Sequence, residues 1–101
     1  MSKVYGYCRT AFACDEEIAE QMELIRAYCN QHGLVIEKYF YDNGGSGLDS
    51  YRVELSDLLY TIQKGDIIVV KNISRLFRDM CQCMSFMELI DSIGVTLHTI
   101  Y

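Results

Sequence analysis

Five of the nine lysines and arginines in this 101-residue chain stand in three short segments, as Arg9, Arg52 and the trio Lys71, Arg75 and Arg78. A guanidinium stays charged at every physiological pH, and its planar fork matches phosphate oxygens in pairs. Arginines gathered at one place therefore suit a phosphodiester and the extra negative charge of its transition state. Whether they gather depends on the elements that carry them. Taken singly, they fit equally well as surface cations paired with the abundant acids.

Residues 67 to 70, Ile-Ile-Val-Val, form an apolar run without alternation, the pattern of a strand buried on both faces of a parallel sheet. Lys71, Arg75 and Arg78 follow its end, and in open α/β sheets ligands bind beyond the carboxyl ends of the strands. Residues 4 to 8 predict a first strand that delivers Arg9, Thr10 and Ala11 to the same edge. Residues 35 to 41 predict a second strand, leading into Asp42, Asn43 and the loop Gly44-Gly45-Ser46-Gly47. Three glycines in four positions require positive φ or a close backbone approach. The loop is not a phosphate-cradling P-loop, because no Lys-Ser or Lys-Thr follows it. Residues 95 to 100 predict the last strand.

Helices are expected over 15 to 32, 50 to 64 and 79 to 92, stopped by Gly33, Gly65 and Gly94. Asp15 is the expected N-cap of the first, whose stripe is Ile18, Met22, Ile25 and Cys29. The second turns Leu55, Leu58, Leu59 and Ile62 inward and carries Arg52 in its first turn. A cation there opposes the helix dipole, which calls for another interaction to hold it. The third shows Met80, Met84, Met87 and Ile90 at helical spacing, read as core. Alternating strands and helices imply an α/β fold in three layers: a four-stranded, mainly parallel sheet in flavodoxin-like order, with helices on both faces. It forms one domain over residues 1–101.

Composition narrows the function classes. No apolar run approaches the ~20 residues of a bilayer span, and the N-terminus lacks signal-peptide regions, so a cytoplasmic protein without membrane association is expected. The five cysteines are odd in number and lack Cys-x-x-Cys spacing. Cys81 and Cys83 project to opposite sides of a helix, so reduced thiols and no metal site are expected. His32 and His98 stand alone in the sequence and read as structural or exposed. A net charge of −5 argues against a nucleic-acid partner at first sight, but the acids crowd one helix (Asp15, Glu16, Glu17, Glu20, Glu23), leaving room for a locally positive edge.

Three segments then resemble one family in register. Tyr7-Cys8-Arg9-Thr10-Ala11 resembles the Tyr-x-Arg-Val-Ser opening of the serine site-specific recombinases, the resolvase and invertase family. Asp42 to Gly47 followed by Arg52 is similar to its Asp-x-x-x-Ser-Gly then Arg. Gly65-Asp66, the apolar strand, Lys71 and Arg75-Leu76-Phe77-Arg78 are similar to its Gly-Asp, strand, Lys and Arg-Leu-Gly-Arg. The glycine loop and Ser74, which stands where small resolvases have Asp, look most like the large transposon-type recombinases.

The resemblance implies a resolvase-like catalytic domain acting on DNA without metal or other cofactor, through a serine joined to a 5′ phosphate. Arg9, Arg52, Arg75 and Arg78 would bind the scissile phosphate, with Asp42, Ser46, Lys71 and Ser74 in support. It also implies a homo-oligomer, dimer or tetramer, in a longer parent carrying a dimerisation helix and a DNA-binding domain. Ala11 occupies the nucleophile's place, and Phe77 that of a glycine. A methyl group cannot attack phosphorus, and Thr10 is a poor substitute because adjacent side chains on a strand face opposite ways. The chain is therefore expected to be inactive, whether Ala11 is natural or an engineered change. A non-catalytic DNA- or recombinase-binding regulator stays open beside the recombinase reading, as does an unrelated α/β domain for a phosphorylated ligand.

Overall fold

The computed structural model describes residues 2–10, 12–44, 53–73, 77 and 80–101. Its elements are β1 (Val4–Thr10), α1 (Asp15–Gln31), β2 (Ile36–Asn43), α2 (Val53–Thr61), β3 (Ile67–Val70), α3 (Met80–Ile93) and β4 (Thr96–Thr99). The strands lie in the order β2-β1-β3-β4, every neighbouring pair parallel. Winding starts at β1 and turns outward to β2, then crosses back over β1 to β3 and β4. That reversal puts α1 on one face and α2 with α3 on the other, as right-handed crossovers demand.

The two-residue period of the strands sorts the core accordingly. Tyr5, Tyr7, Phe40, Ile68 and Val70 meet Leu55 and Leu58 of α2, Ile62 just after it, and Phe86 and Ile90 of α3. Val4, Cys8 and Val69 meet Ile18, Ile25 and Cys29 of α1. Gly6 permits the closest approach on the α1 face. A Cβ there would lie 2.8 Å from the Tyr39 ring and 3.2 Å from Ile25 Cγ2.

Helices α1 and α3 stop where glycine predicts. Gly33 has φ +68° and Gly94 φ +91°. In each case the residue after the glycine donates its N–H five residues back, Leu34 to Cys29 O at 2.8 Å and Val95 to Ile90 O at 2.9 Å, closing the helix. Below the sheet, the buried Asp66 carboxylate accepts the N–H groups of Lys3 (3.1 Å) and Gln63 (2.9 Å), tying the start of β1 to the exit of α2.

Three expectations need correction. Asp15 is the first helical residue and not the cap; Cys14 holds the N-cap position without a side-chain bond, and the Asp15 carboxylate accepts from Asn43 Nδ2 at 2.7 Å instead. Second, α2 ends at Thr61, short of residue 64. Third, the methionines of α3 are not core: Met80, Met84 and Met87 are 76, 56 and 41% exposed. The buried positions are Phe86 and Ile90, joined by partly buried Ile93. This helix is apolar nearly all round, so its period leaves the inward face undecided, and the larger Phe86 ring takes the inner place. The histidines, read as structural or exposed, share a neighbour in space. Tyr28 bonds His98 Nδ1 through its hydroxyl at 3.0 Å and stacks on His32 at 4.1 Å between ring centres.

Candidate nucleic-acid interface at the carboxyl edge of the sheet

β1 runs on to Thr10 because β2 stays paired with it, Arg9 opposite Asp42 and Thr10 opposite Asn43. Partners in parallel register share a face, so Arg9 and Asp42 stand on the α2 side with Tyr7 and Phe40. The Asp42 carboxylate accepts the Tyr7 hydroxyl (2.6 Å) and two first-turn amides of α2, from Glu54 (3.1 Å) and Leu55 (3.2 Å). It thus satisfies N–H groups that a helix leaves without internal partners, and its charge suits the positive end of the dipole. Asp42 is therefore a structural anchor that fixes where α2 begins relative to Arg9.

The α1 side is built from Thr10 and Asn43. The Thr10 hydroxyl donates to Asn43 Oδ1 (2.9 Å) and accepts the Gly44 N–H (3.0 Å). Asn43 Oδ1 also accepts the Cys14 N–H at 2.7 Å. One amide thus joins the ends of β1 and β2 to the start of α1. Thr10 is buried, and its hydroxyl is engaged on the side away from Arg9. Gly44 has φ +88°, and a Cβ there would lie 3.1 Å from Ala13 N, so the first loop glycine meets both requirements read from the sequence.

Lys71 also belongs to the α1 side. Its Nζ lies 3.4 Å from Glu20 Oε1, in a pair whose acid is largely exposed and which adds little to stability. With Asp15, Glu16 and Glu17 in the first turn of α1, that side of the edge is acidic. The structure thus brings Arg9 and Asp42 together and sets Lys71 across the sheet from them. Ala11, Ser46, Arg52, Ser74, Arg75 and Arg78 lie outside the described residues. Phe77, the departure from the family's glycine, turns its ring to the core, 5.2 Å from the Phe86 ring.

Sequence reasoning missed Gln21. It sits within the apolar stripe of α1, 7% exposed, between Ile18 and Ile25. Its Oε1 accepts the Arg9 N–H at 3.2 Å and its Nε2 donates to Arg9 O at 3.0 Å. A glutamine interrupting an apolar stripe was the visible signal. Among the described residues no group of three His, Cys, Asp or Glu side chains could hold a metal, and no helix is long and apolar enough to cross a membrane.

The strand order defines a doubly wound α/β domain whose topological switch point lies between β1 and β3. Residues 4–101 match the family described as "Resolvase, N terminal domain", and the chain belongs to that family. Its fold is similar to the catalytic domain of ISC1926 TnpA, an IS607-like serine recombinase (TM-score 0.82, 19% identity, 98% of this chain and 67% of that one). A resolvase family site-specific recombinase from Streptococcus pneumoniae gives a TM-score of 0.82 at 22% identity, covering 99% of this chain and 72% of that one. The N-terminal catalytic domain of TP901-1 integrase gives 0.83 at 17%, covering 98% and 78%. No curated protein sequence matches the chain.

Proposed function

We propose that this domain binds a DNA phosphodiester at the carboxyl edge, on the α2 side, through Arg9 together with Arg52, Arg75 and Arg78, and does not cleave it. The observation that carries this reading is the Arg9–Asp42 register. It sets a cation at the strand ends beside the amides of α2, in a chain of the resolvase N-terminal family. Ala11 supplies no oxygen nucleophile, and the Thr10 hydroxyl is held on the opposite face by Asn43 and Gly44. Loss of a nucleophile in other enzymes lowers rates by about a millionfold. Ser46 and Ser74 support the phosphate in this reading, Asp42 holds the α2 segment, and Lys71 balances Glu20. Assembly into a dimer or tetramer is part of the proposal, supported by the exposed methionine face of α3.

The test uses a random-sequence duplex library and the chain itself. Binding is expected at low salt and is expected to fall when Arg75 and Arg78 are replaced by Ala. Denaturation after incubation should trap no covalent protein–DNA species. Unchanged affinity in the double variant would overturn the phosphate site, and a covalent species formed by the unsubstituted chain would overturn the non-cleaving assignment.

A further inference from the structure

We infer that Gln21 is a positioning residue for Arg9, an inference that rests on the DNA-phosphate reading of the edge. Pairing of β1 with β3 ends at Tyr7 opposite Val70, so β1 projects beyond its inner neighbour. Successive residues of a strand turn their backbone groups to opposite edges. Thr10 O accepts the Gly44 N–H on the β2 side at 3.2 Å, so the N–H and C=O of Arg9 point toward the β3 side. The Gln21 carboxamide takes both, as acceptor and as donor. One side-chain amide thus takes both backbone groups of Arg9, as the peptide of a strand partner would.

The consequence is local rigidity where the chain leaves the sheet. A strand end held only on the β2 side can twist about its axis, and that twist would swing Arg9 away from the Asp42 face. Gln21 holds the other side. It reaches Arg9 from the middle of α1, an element packed against the core through Ile18 and Ile25. The clamp therefore transmits the position of the helix to the cation. Gln21 touches the Arg9 backbone, and its influence on phosphate runs through that contact.

Two measurements test this. In the unsubstituted chain the Arg9 amide should exchange with solvent as slowly as the paired amides of β1, and Gln21→Met, which keeps the volume and removes the polar ends, should speed it by about tenfold or more while Tyr5 and Tyr7 stay protected. A freely exchanging Arg9 amide in the unsubstituted chain overturns the clamp without need of any variant. Binding of a short random-sequence duplex at low salt then reads the function. Gln21→Met should weaken binding several-fold with Arg9 present and have no effect in the Arg9→Ala background. Equal losses in both backgrounds overturn the positioning role alone. If Arg9→Ala itself leaves affinity unchanged, the DNA reading fails and takes this inference with it, even where exchange shows the clamp intact.

Discussion

Cys8 shows how one buried side chain reports on the packing of α1. Burial pushes its thiol up to about 12, from an ordinary value near 9, because the thiolate loses its hydration. The unfolded chain then ionises first, so the contribution of Cys8 to stability is intact below about pH 9 and is lost as pH rises toward 12. Chemical denaturation at a series of alkaline pH values should show this decline, and it should shrink in Cys8→Ala. A thiol reagent at neutral pH should modify Cys14 and Cys81 quickly and spare Cys8 and Cys29 until unfolding, since the first pair is exposed and the second buried. At this scale the sequence was legible for residue types and silent on partners. Arg9 and Asp42 could be placed at the strand ends from the sequence. That Asp42 spends its carboxylate on α2, and that Gln21 grips Arg9, depended on contacts 12 to 35 residues apart in the chain.

The strands and helices were readable because their periods and stops are local. Glycines at 33, 65 and 94 all take positive φ, and the apolar run of β3 is an inner strand. The α3 helix was misread because an element with apolar residues on most sides carries no signal for its inner face. The first described turn of α2 is held from the carboxyl edge, because Glu54 and Leu55 donate their amides to Asp42. Asp42→Ala removes the acceptor for two first-turn amides and the Tyr7 hydroxyl. It is expected to cost about 2 kcal/mol of stability, in the range for losing a cap with buried partners. Urea unfolding measures this. Added fraying at Glu54 and Leu55 in hydrogen exchange, with the middle of α1 unchanged, would separate loss of the cap from general destabilisation.

For the molecule as a whole, the sign of the net charge says less than its layout. The chain carries −5, yet Asp15, Glu16, Glu17 and Glu20 of α1 crowd the α1 side of the carboxyl edge, while Arg9 faces α2 beside Asp42, whose carboxylate accepts two α2 amides. A DNA duplex should therefore bind in one orientation, and affinity should fall linearly with the logarithm of salt concentration, since bound phosphates release their counterions. Fluorescence anisotropy over a salt series checks this. Replacing Arg9 by Ala should make the slope shallower by roughly one phosphate's share, about 0.9, whereas Glu20→Gln, which frees Lys71, should leave it shallow or steepen it slightly. A slope of zero would remove the electrostatic basis of the proposed interface.

The sequence by itself determined the alternation of strands and helices, the parallel α/β class and the alanine at position 11, because each follows from residue type and short spacing. The tertiary structure decided which face each side chain serves. It set Lys71 with Glu20 across the sheet from Arg9, turned the methionines of α3 outward and Phe77 inward, and placed Gln21 on the Arg9 backbone. Those outcomes depend on which buried polar group finds a partner and which of two apolar faces packs more volume, and both are settled only when the layers meet.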